Sequence, residues 1–187
     1  MQKSDLKEKI AKNFLADSRD FLKRYKVLLK SSISSHIGMR SKLLIDLLFS
    51  AECSLKGFIF LESTDDVEIT YKKVITHNIR KLLNKLSTDE KHKCEALIDI
   101  KLRDYNVANR YMIEAYKTYR PNGALDKEYY DTIANYSWLT SVYNRLDELE
   151  KYVWSKLKVP IEEFTLGELN EDDIVNEPKK IIDLKKT

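Results

Sequence analysis

Residues 38–61 read GMRSKLLIDLLFSAECSLKGFIFL, and this stretch decides the fold class. Its apolar residues recur in steps of three and four, which is the spacing of one face of an α-helix. They are Leu43, Leu44, Leu47, Leu48, Ala51, Leu55, Phe58 and Ile59. A helix of this length is about 36 Å long at the usual rise per residue. Because this predicted helix is the most apolar one in the chain, we expect it to lie at the centre of the core.

Further helices are predicted on both sides of this one. The same periodicity predicts helices over about residues 5–29 and 126–158, and a short helical piece near 71–74. Thr76, as an N-cap, predicts a helix over 76–86, and the capping-box pair Ser87 and Glu90 predicts one over 88–117. With 4 glycines and 3 prolines in 187 residues, turns are scarce. The sequence therefore predicts an all-α protein, an antiparallel up-and-down helix bundle of four to five helices.

Charge divides the chain into a bundle over residues 1–159 and a charged tail over 160–187. From residue 158 to the end there are eight acids and five lysines, a net charge of −3, whereas the preceding residues carry +6. Two short apolar clusters, at 164–166 and 181–184, interrupt this tail. The tail either lies on the bundle or lacks fixed structure, or it serves as a linear motif for a partner.

Several classes of protein are disfavoured by what the sequence lacks. No apolar run approaches the roughly 18 residues of a membrane-spanning helix, and the first residues are polar, so we expect a cytoplasmic protein without a membrane partner. The three histidines, His36, His77 and His92, have no second ligand at a usable spacing, and no glycine-rich phosphate loop occurs. We therefore expect neither a metal nor a cofactor.

Three short segments carry the candidate site residues. They are Ala51-Glu52-Cys53-Ser54-Leu55-Lys56, Thr76-His77-Asn78-Ile79-Arg80 and Asn109-Arg110-Tyr111-Met112. Lys56 lies on an apolar helix and must reach water or a partner, because burying an unpaired ammonium is costly. His77 follows the predicted cap and so should lie at a helix start. Lys56 and His77 either tie two helices together or line a ligand groove, and Arg110-Tyr111 is either a packed tyrosine beside a surface arginine or part of that groove.

In order and spacing, these segments resemble the HEPN superfamily (higher eukaryotes and prokaryotes nucleotide-binding) over about residues 40–155. The resemblance implies binding of a nucleotide or RNA at Lys56, His77, Arg80, Arg110 and Tyr111. Catalytic members carry Arg followed by His after four to six residues, and none of the eight arginines here is followed in that way. The resemblance thus implies a non-catalytic binding or regulatory module, acting with a nucleotidyltransferase or in a prokaryotic defence or toxin–antitoxin system.

Two other functions stay open on the sequence. The chain could be a degenerate or unusual ribonuclease that uses His77 with Arg80 or Arg110, since RNA cleavage needs a base beside a cation. It could instead be an unrelated helical protein-interaction module.

A homodimer is expected, as is common among HEPN-like domains, from the aromatic residues of the predicted last helix. Tyr129, Tyr136 and Tyr143 recur every seven residues and are assigned to the core. The apolar surface outside that face includes Tyr130, Trp138 and Tyr152. We expect another segment to bury this surface. The cover is either a second copy of the helix or the tail.

Overall fold

The computed structural model describes residues 3–30, 37–105 and 126–158, together with Lys117 and Arg120. Throughout these ranges the backbone is helical or irregular and contains no strand, so the all-α prediction is confirmed. The helices are α1 (Lys3–Lys30), α2 (Ile37–Glu62), α3 (Val67–Val74), α4 (Ile79–Leu83), α5 (Thr88–Leu97), α6 (Lys127–Asp131) and α7 (Tyr136–Trp154). A 3₁₀ turn covers Leu102–Asp104. None of the helices in the described ranges is long and apolar enough to cross a membrane.

The two longest helices, α1 and α2, form an antiparallel pair close to the predicted bounds. Near the start of α1, Lys7 Nζ donates to the carbonyl of Ser63 just beyond α2, at 2.6 Å. Near the end of α1, the Arg24 guanidinium pairs with Asp46 in the first part of α2. Early residues of one helix therefore meet late residues of the other.

Small residues allow α1 and α2 to approach closely. A Cβ atom added at Gly57 would lie 3.2 Å from the Ala11 carbonyl oxygen, tighter than most real Cβ contacts. At the middle of the pair, Ser18 Oγ lies 2.9 Å from Ser50 Oγ and 2.8 Å from Ser54 Oγ. These buried hydroxyls satisfy one another, so the polar residues do not carry the cost of unpaired burial.

Helix α7 closes the core against α1 and α2. Tyr143 stacks on Tyr25 with ring centroids 5.4 Å apart, and Tyr152 meets Phe58 edge-on at 5.7 Å. The predicted α2 stripe is buried throughout, which confirms the central place expected for this helix. Its exposed fractions are Leu43 1%, Leu44 0%, Leu47 0%, Leu48 2%, Ala51 0%, Leu55 0%, Phe58 1% and Ile59 3%.

The caps around α4 and α5 differ from those predicted. Asn78, rather than Thr76, caps α4, because its side chain accepts from the Lys81 backbone N–H at 2.9 Å. Ser87 precedes α5, but its side chain makes no capping bond. Glu90 instead makes a tertiary contact, because its carboxylate accepts a hydrogen bond from the Tyr152 hydroxyl of α7. The helix therefore starts at Thr88 after Ser87, as the pattern predicted, but the Ser87 side-chain capping bond does not form.

The predicted helix over 88–117 is wrong from residue 98 to 105. Ile98 is extended, with φ −102° and ψ 118°, which ends α5. The Asp99 carboxylate then accepts from the backbone N–H two residues later, at 2.9 Å, which favours a turn over a continuing helix. Arg103 donates to the Ile98 carbonyl at 2.9 Å and so satisfies an oxygen that the helix leaves open. Residues 106–116 and 118–119 lie outside the described ranges.

The predicted single helix over 126–158 is in fact two helices. Thr132 departs from helical backbone, with φ −126° and ψ −87°, and its hydroxyl donates to the Glu128 carbonyl at 2.5 Å. Asn135 then caps α7 by accepting from the Trp138 backbone N–H at 3.0 Å. The polar side chains thus stabilise the break.

This break separates the three tyrosines that were assigned to one face. Tyr129 on α6 is buried, whereas Tyr136 at the start of α7 is 45% exposed. Trp138 packs against Tyr105 with ring centroids 6.5 Å apart, and Tyr152 packs against Phe58. The expectation of missing cover is therefore wrong for these two side chains, whereas Tyr130 is 58% exposed. The homodimer stays a prediction, and the tail over 160–187 lies outside the described ranges.

Candidate functional site

The candidate site is built around a buried carboxylate, Glu52, on the central helix. Its side chain is 5% exposed, and both of its oxygens lie 3.0 Å from Nδ1 of His77. One turn further along α2, Lys56 Nζ lies 2.6 Å from Glu52 Oε1. Two cationic or hydrogen-bonding groups therefore meet on one carboxylate, which is how proteins keep a buried charge compensated.

Local structure holds His77 in place. It lies in the link between α3 and α4, where the Asn78 backbone N–H donates to Thr76 Oγ1 at 3.1 Å. Phe49 of α2 meets the imidazole edge-on, with ring centroids 6.5 Å apart. Since α2 supplies both Glu52 and Phe49, the imidazole is held against that helix by a polar and an aromatic contact together.

The bond to Glu52 decides which nitrogen of His77 is open. An ionised carboxylate only accepts hydrogen bonds, so Nδ1 must carry the proton and donate. Nε2 has no hydrogen-bond partner in the described part of the chain, and the His77 side chain is 65% exposed. The neutral ring thus presents an acceptor nitrogen outward, and the cationic ring presents a donor there.

The structure brings together some of the predicted site residues and not others. Lys56 and His77 share Glu52, so the proposed tie exists, although it joins α2 to the link before α4 rather than two helices. Arg80 is 50% exposed and pairs with Asp104 of the 3₁₀ turn at 2.6 Å. Arg110 and Tyr111 lie outside the described residues.

The placement of His77 also differs from expectation in one detail. It precedes the cap residue Asn78 instead of following a cap, so it is not among the first helical residues of α4. Its orientation is set by the hydrogen bond to Glu52 and the edge-on contact with Phe49.

A cysteine nucleophile does not fit this site. Cys53 is adjacent to Glu52 but buried, and that burial, with a smaller contribution from the Glu52 charge, raises the pKa of its thiol to about 12. The thiol of Cys94 is buried too, and its pKa is likewise raised to about 12. Both stay protonated near neutral pH, and only the thiolate attacks. Among the described residues there is also no group of three or more side chains able to hold a metal ion.

Sequence reasoning missed Glu52 as the centre of the site. A signal was present, because Glu52 and Lys56 are four residues apart and such pairs face each other on a helix. The contact with His77 has no comparable signal, since the two residues are 25 positions apart. Comparison with known proteins adds nothing to this assignment: no protein-family model, no curated protein and no solved structure matches the chain.

Proposed function

We propose that this protein is a non-catalytic HEPN-like helical module that binds a nucleotide or RNA. The observation that carries the proposal is the exposed imidazole of His77, which the buried Glu52 holds through Nδ1 while Nε2 has no partner among the described residues. As an acceptor, Nε2 is suited to a ribose hydroxyl or a base amino group, and as a donor, in the cationic ring, it is suited to a phosphate. Lys56 and Arg80 are the cations proposed to act with it.

The remaining parts of the proposal follow the same resemblance. The bundle is proposed to be up-and-down, since α1 runs antiparallel to α2. Helix α7 also runs antiparallel to α1, because Arg19 pairs at 2.8 Å with Glu150 whereas the later residue Tyr25 stacks on the earlier residue Tyr143. In the cytoplasm, the module would act as a homodimer, with a nucleotidyltransferase as protein partner, in a defence or toxin–antitoxin system. Arg110 and Tyr111 complete the proposed ligand-binding set.

Replacing His77 should weaken ligand binding without unfolding the protein. We expect His77→Ala to raise the Kd for a fluorescent ATP analogue or a labelled oligoribonucleotide by about tenfold, the usual effect of losing one directed polar contact. Fluorescence anisotropy measures both ligands. His92→Ala is the matched control, because His92 on α5 is 72% exposed and should leave the Kd unchanged. Equal affinity of the wild type and His77→Ala for the ligand that binds, or no binding of either ligand, would refute the proposal.

The same geometry favours a second candidate, an unusual ribonuclease. A carboxylate that orients an imidazole and leaves Nε2 open is an arrangement used by general bases. Cleavage also needs a second group at the leaving oxygen, and the pattern of Arg followed by His that marks the catalytic members of the resembled family is absent from the sequence. On this ground the binding function is preferred.

Purified protein is therefore expected to leave RNA intact. Incubation with single-stranded RNA, tRNA and ribosomal RNA, in buffer with a chelator, should give no product on a denaturing gel above the no-protein control. Reproducible cleavage that is lost in His77→Ala and kept in His92→Ala would replace the binding module with the ribonuclease.

A further inference from the structure

A surface depression of about 240 Å³ lies where the end of α2, the link to α3, α3 itself and the link before α5 come together. Ile59 is the one apolar residue among those of the described chain that line it, and every other lining residue is polar or charged. His77 does not belong to this lining. The depression is therefore a second concave surface, with a chemistry of its own.

Four charged residues line the depression, and their formal charges sum to zero. They are Glu62, Asp65, Lys73 and Lys85. The Asp65 carboxylate pairs with the Lys73 ammonium, so each of these two charges already has a partner. One charge of each sign then remains for a ligand.

The two remaining charges, those of Glu62 and Lys85, are unpaired. Both residues are exposed, and neither has an ion-pair or hydrogen-bond partner for its side chain in the part of the chain that the structure describes. Although both line the same depression, they are not within ion-pair distance of each other. A carboxylate and an ammonium therefore stand at separate points of one concave surface, each open to a ligand group of the opposite charge.

Hydroxyl groups add hydrogen-bonding capacity beside these charges, and one wall is held in place. The hydroxyls of Thr64 and Ser87 line the depression and make no hydrogen bond within the described ranges. Ser63, between α2 and α3, is fixed because its Oγ lies 2.8 Å from Thr70 Oγ1 and its carbonyl accepts from Lys7 Nζ at 2.6 Å. A wall that is already ordered lowers the entropic cost of binding a ligand.

This lining fits a small zwitterion better than an ion of one sign. A phosphate group placed against Lys85 would meet the unpaired carboxylate of Glu62, and a simple cation placed against Glu62 would meet the ammonium of Lys85. Drug-sized ligands occupy clefts of about 300–1,000 Å³, so this volume suits a smaller molecule. A free amino acid is small and carries one ammonium and one carboxylate.

We infer that the depression binds a free amino acid, with its carboxylate on Lys85 and Ser87 and its ammonium on Glu62 and Thr64. Each pair of groups comes from one link of the chain, since its two members are two residues apart. Hydrogen bonds to a charged group are stronger than neutral ones, and opposite charges at the two ends fix the direction of the ligand. This site goes beyond the ligand binding proposed for His77.

The test uses the full chain and the twenty free L-amino acids, each titrated separately and followed by nuclear magnetic resonance of the isotope-labelled protein. At least one should bind with a Kd of about 1 mM or tighter. Its N-acetyl derivative, which lacks the ammonium, and its amide, which lacks the carboxylate, should each bind about tenfold more weakly. Glu62→Gln and Lys85→Gln should each raise the Kd of the free amino acid by a similar factor.

Glu68→Gln and Lys81→Gln are the matched controls, because both residues are exposed and neither lines the depression. Both should leave the Kd unchanged. The inference is overturned if no amino acid binds, or if the acetylated and amidated derivatives bind as tightly as the free amino acid. It is also overturned if inorganic phosphate binds more tightly and depends on Lys85 but not on Glu62, which would assign an anion to the depression. None of these measurements involves His77→Ala, so the ligand site at His77 keeps its own test.

Discussion

Leu55→Ala is expected to lower the free energy of unfolding by about 2–5 kcal/mol. Leu55 is 0% exposed in the middle of α2, and truncation removes buried carbon atoms and leaves a cavity that the surrounding helices fill only in part. Leu47, also 0% exposed and about two helical turns earlier on α2, should behave in the same way. Urea denaturation followed by circular dichroism measures the change.

A matched substitution separates burial from the loss of leucine itself. Leu6 on α1 is 38% exposed, so Leu6→Ala should cost well under the value for Leu55→Ala. A loss below about 0.5 kcal/mol for Leu55→Ala would mean that α2 is not the centre of the core.

Glu52→Ala is expected to destabilise the protein by about 3 kcal/mol, because it leaves the largely buried ammonium of Lys56 without its counter-charge. The Lys56 side chain is 13% exposed, and its ammonium lies 2.6 Å from Glu52. Without the carboxylate, the Lys56 ammonium keeps only weak compensation from Phe14, whose ring centroid is 5.9 Å from Nζ. Urea denaturation at neutral pH measures the loss.

Two further variants test whether the loss of stability comes from an unpaired buried charge. Glu68→Ala removes another ion pair between residues four apart, the pair of Glu68 with Lys72 on α3. The Glu68 side chain is 81% exposed and the Lys72 side chain 67%. It should cost less than about 0.5 kcal/mol, since exposed pairs contribute little. Replacing both Glu52 and Lys56 by Leu should recover most of the stability, because no unpaired charge remains. If the double variant is as unstable as Glu52→Ala, the loss comes from packing and not from charge.

Much of the fold could be predicted from the order of residues. The α1 and α2 bounds agree with those predicted to within about two residues, because the periodicity of long amphipathic helices is a local property of the chain. The buried stripe of α2 was also predicted correctly for the same reason. The scarcity of glycine and proline correctly indicated an all-α protein.

The helix breaks were not predicted, because side chains with several possible partners decide them. Thr132 could have pointed to solvent, but its hydroxyl bonds to the Glu128 carbonyl and to the Tyr105 hydroxyl at 2.9 Å. Glu90 could have closed a capping box with Ser87, but it is held by Tyr152 instead. A capping pattern fixes which local bonds are available, whereas tertiary contacts select among them.

The candidate site shows the same division. The sequence by itself singled out Lys56, because an ammonium on an apolar helix needs a partner, and His77, because it belongs to a segment that resembles a family motif. Only the tertiary structure decided that the partner of both is Glu52, 25 residues from His77, and that Nε2 has no partner among the described residues. Periodicity tells which side of a helix is buried, but a contact between distant residues depends on how the helices cross, and no local pattern records that.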